Sequence, residues 1–266
     1  MTFDFNPMLT VAGALTGVLV GLTGVGGGSV MTPILLLMFG TAPMSAVGTD
    51  LWFAAVTKIA ATKVHNSRGL IDWQVARRLW LGSLPASALT MVWLAMYKMD
   101  AHSTEWVRGA IGVAIVVTAS AMLFQKQLHE FGRKFRIGDA DHFKAMQTPM
   151  TIACGALLGF LVTLTSVGAG ALGVVFLAYL YPLRLTPTRL IATDIVHAVP
   201  LTIFAGTGHL IAGNVDFNLL GNLLIGSLPG VVIGALLSSR LPQVALKRAL
   251  SAILFFTAYK LLTAVH

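Results

Sequence analysis

Apolar runs, sparsely charged, follow one another along the chain at 9–22, 29–39, 45–64, 75–96 and 106–124. After an interruption they resume at 149–164, 169–181, 190–210, 217–238 and 245–264. None alternates with the period of two that a barrel strand requires. Several reach the roughly 20 residues that an α-helix needs to cross hydrocarbon. In lipid, backbone polar groups must be satisfied within a helix or a closed barrel. The pattern therefore predicts an all-α, polytopic integral membrane protein.

The interruption, about Gln125–Lys144, is a polar linker, and the text on its two sides is similar. Gly13, Gly17 and the stretch Thr23–Gly28 return as Gly155, Gly159 and Thr165–Gly170. Gly48-Thr-Asp50 returns as Ala192-Thr-Asp194, and His65 as His209. Gly69–Asp72 returns as Gly213–Asp216, and Gly82-Ser-Leu-Pro85 as Gly226-Ser-Leu-Pro229. Glycine-interrupted hydrophobic segments at matching positions of an internal repeat point to a transporter and to its substrate site. The expected organisation is a membrane repeat over 1–124, a linker over 125–146 and a second repeat over 147–266. In each half the second run is too short to span comfortably. Each half thus opens with a helix–break–helix hairpin, re-entrant or crossing twice, followed by three transmembrane helices.

Composition agrees. The 266 residues are 56% hydrophobic and 11% charged, with mean hydropathy +0.82, where a soluble domain carries about 25% charged residues. The net charge of +8 is spread through loops and does not indicate nucleic-acid binding. It does orient the chain. If each hairpin returns to the side on which it began, the halves are inverted, and the loops divide Lys and Arg fourteen to three; parallel halves would divide them ten to seven. The positive-inside rule favours inversion, with the linker cytoplasmic and both chain ends outside, in the cell inner membrane. The first residues lack the cationic stretch of a signal peptide. Cys154 stands alone within an apolar run and reads as a small packing residue. No metal or cofactor motif is present.

The breaks carry the candidate chemistry. Thr23-Gly-Val-Gly-Gly-Gly-Ser29 would leave free N–H groups at the start of the following half-helix, where the dipole also favours an anion. Thr165-Ser-Val-Gly-Ala-Gly170 would do the same from the opposite side. The expected substrate site comprises Thr23, Gly24, Gly26, Gly27, Gly28 and Ser29 with Thr165, Ser166, Gly168, Ala169 and Gly170. Thr49, Thr193 and Lys58 are added from the neighbouring helices. Close helix packing by small residues is the plainer reading of such glycines, and without Gly-Lys-Ser/Thr neither break is a P-loop.

Asp50, Ala54, Lys58, Ala61 and His65 form one stripe of a helix, and Asp194, Ala198, Thr202, Ala205 and His209 form its counterpart. An ion inside a membrane is a functional hypothesis by default, so Lys58 could attract an anion, or pair structurally. Asp50 and Asp194 are expected in the first turns of their helices, where acids complement the dipole. They and His197 are also candidates for proton coupling. Pro33, Pro85, Pro200 and Pro229 are expected kinks.

At these residues the chain resembles the TauE/SafE sulfite exporter family, through Gly24–Ser29 with Pro33, Gly48-Thr49, His65-x-x-x-Gly69-x-x-Asp72-Trp73 and the second copy. The resemblance implies a permease for sulfite, thiosulfate, sulfoacetate or similar small anions. The expectation is secondary transport of sulfite out of the cytoplasm by alternating access, with no cofactor. Protons are a candidate coupling ion, and a homodimer is compatible with the apolar helix faces. An anion channel, a membrane-embedded enzyme and a structural subunit are the rivals. The repeat fails at Lys58/Thr202 and at Gly27/Ala169.

Overall fold

The computed structural model describes residues 3–23, 28–67, 69–96, 101–138, 140–237 and 243–263. Among them are eleven helices and no strand. The first half contributes α1 (Pro7–Thr23), α2 (Gly28–Met38), α3 (Pro43–Ser67), α4 (Trp73–Met96) and α5 (Ala101–Leu123). The second contributes α7 (Ala140–Thr165), α8 (Ala171–Leu180), α9 (Pro187–Ile211), α10 (Phe217–Leu237) and α11 (Gln243–Thr263). Five segments among the described residues, within α4, α5, α7, α9 and α10, are long and apolar enough to cross a membrane. At 1.5 Å per residue, the ten residues of α8 reach about half of a 30 Å hydrocarbon layer. All four prolines expected at kinks lie inside helices.

Packing crosses between the halves at equivalent positions. Gly13 and Gly17 of α1 rest on the backbone of Leu223 and Ser227 in α10. Gly155 and Gly159 of α7 rest in the same way on Leu79 and Ser83 in α4. Gly226 returns the contact to Thr10 and Ala14, as Gly82 does to Ile152 and Ala156. At each of these glycines a Cβ would overlap the partner's main chain, so the close parallel approach depends on its absence.

Helices α3 and α9 pack with the start of one beside the end of the other. Gly48 meets His209, and Gly206 meets Leu51 and Trp52. Two matching hydrogen bonds tie their ends. The Asp72 amide donates to Thr193 Oγ1 at 3.0 Å, and the Asp216 amide donates to Thr49 Oγ1 at 3.1 Å. Around this pair α2, α3, α5, α9 and α11 share one apolar core, holding Met31, Leu35, Phe53, Ile111, Leu201 and Leu254. On the outer faces of α4 and α10, Leu81, Leu89, Val92, Met96, Val232 and Leu236 are exposed. In a chain with these spans such faces meet lipid acyl chains.

Two expectations need correction. The linker is not a bare polar connection: Gln125–Gly138 forms a further helix, α6. Its apolar side chains Leu128, Phe131 and Phe135 recur every three or four residues, a stripe with helical period. Phe131 stacks on Tyr179 of α8 with ring centroids 6.2 Å apart, Gly132 lies against the Tyr179 carbonyl, and His129 Nδ1 donates to the Ala178 carbonyl at 3.1 Å. The second correction concerns Asp50 and Asp194, neither of which is in a first turn. Both helices begin seven residues earlier, at Pro43 and Pro187, because proline's fixed φ suits the first helical position.

Candidate functional site at the break between α7 and α8

The second break leaves the helix through residues in left-handed backbone. Ser166 has φ 56°, Gly168 φ 108° and Gly170 φ 133°. Glycine adopts such angles freely, whereas serine does so at a cost. Thr165 steadies the exit: its hydroxyl donates to the Leu161 carbonyl at 2.6 Å and accepts from the Val167 amide at 3.1 Å. Further back, the Thr163 carbonyl accepts from His209 Nε2 at 2.9 Å, and its hydroxyl shares a 2.6 Å hydrogen bond with Ser87.

Helix α8 then begins with no side-chain cap at Gly170. The amides of Leu172 and Val174 reach the carbonyls of Gly168 and Gly170. Those of Ala171 and Gly173 have no acceptor among the described residues. The Ser166 hydroxyl is buried and makes no close hydrogen bond among the described residues, with the Asp50 carboxylate in reach. Thr165, Ser166, Val167 and Ala169 are all buried. Oriented N–H groups at a dipole's positive end, beside a buried hydroxyl and away from water, can hold a small anion.

Lys58 bridges the halves at this point. The residue is 3% exposed, and its ammonium donates to the Ala169 carbonyl at 2.7 Å. The two positions at which the repeat text fails, Lys58 and Ala169, are thus in contact. Thr202, at the Lys58 position of the other half, bonds only within its own helix.

Both intramembrane aspartates are fully buried. Asp50 Oδ2 accepts from the Thr32 amide at 3.2 Å and from the Thr32 hydroxyl at 2.5 Å. Asp50 Oδ1 makes no close hydrogen bond among the described residues, and the Ser166 hydroxyl is within reach to donate to this carboxylate. Asp194 sits against Gly173, where a Cβ would collide with Oδ1. Neither of its oxygens has a hydrogen-bond partner among the described residues. His197 Nε2 is hydrogen-bonded with Ser83 Oγ at 3.0 Å, its carbonyl accepts from Trp80 Nε1, and Nδ1 is unpartnered.

The structure therefore gathers Thr165, Ser166, Gly168, Ala169, Gly170, Lys58, Asp50 and Asp194 into one buried region. The hydroxyls of Thr49 and Thr193 are committed instead to the ties with Asp216 and Asp72. Gly24, Gly26 and Gly27 lie outside the described residues, and of Thr23, Gly28 and Ser29 only the helical backbone is described. The α9 stripe is buried from Asp194 to His209. The α3 stripe is buried as far as Lys58, and the His65 side chain lies outside the described residues.

Sequence reasoning missed Thr32, Ser83 and Ser87. Ser83 did have a signal, since Gly-Ser-Leu-Pro occurs twice; Thr32 had none, because Val174 stands at its repeat position. It also missed the pairing of buried Asp72 with Arg184, at 2.7 and 2.9 Å. This pair closes the turn before α4 onto the loop before α9.

Comparison with known proteins agrees with this architecture. The family model for sulfite exporter TauE/SafE matches residues 9–261. The probable membrane transporter protein YjnA of Bacillus subtilis is 32% identical over 79% of this chain and 82% of its own length. YunE of the same organism, also described as a probable membrane transporter, is 24% identical over 79% of this chain and 80% of its own. MJ0441 of Methanocaldococcus jannaschii, with the same description, is 26% identical over 79% and 74%. No solved structure matches the chain. These names indicate membrane transport, not catalysis. A match across nearly the full length, on a helical membrane architecture, makes the chain a member of the TauE/SafE sulfite exporter family.

Proposed function

We propose that the protein exports a small sulfur oxyanion, sulfite foremost, across the inner membrane, holding it at the break between α7 and α8. The observation that carries this reading is the start of α8: buried, uncapped, with amides at Ala171 and Gly173 that have no acceptor among the described residues, beside the buried hydroxyl of Ser166. Membership of a sulfite exporter family supports the substrate. On this reading the halves are inverted in the bilayer, with α6 cytoplasmic and both chain ends outside. The antiparallel α3–α9 pair, its reciprocal Asp–Thr ties and the charge division support that topology. Transport proceeds by alternating access, the α1–α10 and α4–α7 pairs moving as packed units about the α3–α9 contact.

The test is counterflow of labelled sulfite in proteoliposomes, with sulfate, thiosulfate and sulfoacetate as competitors. Saturable counterflow is expected in the wild type, and a channel would show none. Gly168→Leu, which forces a side chain onto φ 108° at the mouth of the site, is expected to lower counterflow at least tenfold. Full counterflow in that variant would refute the site.

A further inference from the structure

The candidate anion site already contains an ionisable carboxyl belonging to the chain. Asp194 is 1% exposed, and its carboxyl lies against Gly173, in the first turn of α8, with neither oxygen hydrogen-bonded to any described residue. A substrate anion seated on the Ala171 and Gly173 amides would be its immediate neighbour.

Charge counting shows what this arrangement requires. From α3, Lys58 is in electrostatic reach of Asp194 and also of Asp50, one carboxylate on either side of it. From its own helix comes His197, held by Ser83 of α4. The described residues of the break and the first turn of α8 add backbone and hydroxyl groups but no charge. Two carboxylates and one ammonium leave a formal charge of minus one before any substrate enters. Adding a further anion to a buried site that is already negative is strongly unfavourable. One carboxylate must therefore be neutralised as the anion arrives. Asp50 is stabilised as a carboxylate by two donors from Thr32, with the Ser166 hydroxyl also in reach; Asp194 has no donor among the described residues. Resting on the anion-transport reading above, we propose that Asp194 takes up a proton when the anion binds and releases it when the anion leaves, so that one proton crosses with each anion. The only bond made and broken is O–H at the Asp194 carboxyl.

The test compares the wild type with Asp194→Asn, which resembles the protonated side chain. Both are reconstituted in proteoliposomes, and the membrane voltage that halts net flux of labelled sulfite under a known gradient gives the charge moved per sulfite. The expected result is one more negative charge per sulfite in Asp194→Asn, with counterflow exchange persisting at reduced rate. An unchanged charge per sulfite would overturn the proposal. So would loss of exchange in a variant that elutes and melts like the wild type, since Asp194 would then be needed for binding itself. If Asp194→Asn does not fold, the wild type decides alone: at zero voltage, a pH gradient should concentrate labelled sulfite on the alkaline side, and failure to do so overturns the proposal. A wild type that moves no member of the anion panel would refute the transport reading instead.

Discussion

Ser166 is the non-glycine residue among those described that has positive φ, and it stands where the anion site is proposed. A strained residue at a functional position costs on the order of 1–3 kcal/mol and is kept for what its side chain does. Ser166→Gly is therefore expected to raise the melting temperature by a few degrees while raising the KM for sulfite several-fold, measured on one purified preparation. A fall in melting temperature with unchanged KM would make the hydroxyl structural. The chain revealed the break because glycines recur in both copies. It did not reveal that Lys58 reaches Ala169, 111 positions away, since a lysine's partner is chosen by tertiary packing. Nor did it reveal that Pro43 and Pro187 start their helices early, which moves Asp50 and Asp194 from helix ends to the interior.

At the level of elements, the helices were legible because each apolar run is long and sharply bounded. The pairing of elements was not, because α1 packs on α10 through glycines that the sequence presents only as small residues. Gly82→Ala tests this packing. Its methyl would meet the Ile152 carbonyl, and overpacking of this kind costs about 1–3 kcal/mol. The expected outcome is a clear drop in thermal stability in detergent, with a similar drop for the equivalent Gly226→Ala; no change would mean that the α4–α7 contact is looser than described. Helix α6 escaped attention because its apolar stripe is short and set among basic residues. Its docking on Tyr179 joins the segment between the halves to the C-terminal end of α8, the half-helix whose other end forms the site.

On the scale of the whole molecule, the proposed inverted topology would let one polypeptide present similar surfaces to the two sides of a membrane through the matching contacts around α3 and α9. On that topology each side would close on its own Asp–Thr tie. The proposed proton changes the driving force. A doubly charged oxyanion that leaves with one proton still moves one net negative charge, which an inside-negative potential favours by about 2.3 kcal/mol per 100 mV. An inward proton gradient opposes it by about 1.4 kcal/mol per pH unit, so export stays downhill when voltage dominates. All of this depends on an anion occupying the break. Selenite, a heavier analogue of sulfite, can be located by anomalous diffraction from crystals soaked with it. The account predicts a selenium peak beside the amides of Ala171 and Gly173 and the hydroxyl of Ser166, reduced by competing sulfite. A sulfite-sensitive peak elsewhere in the molecule, with none at the break, would contradict it.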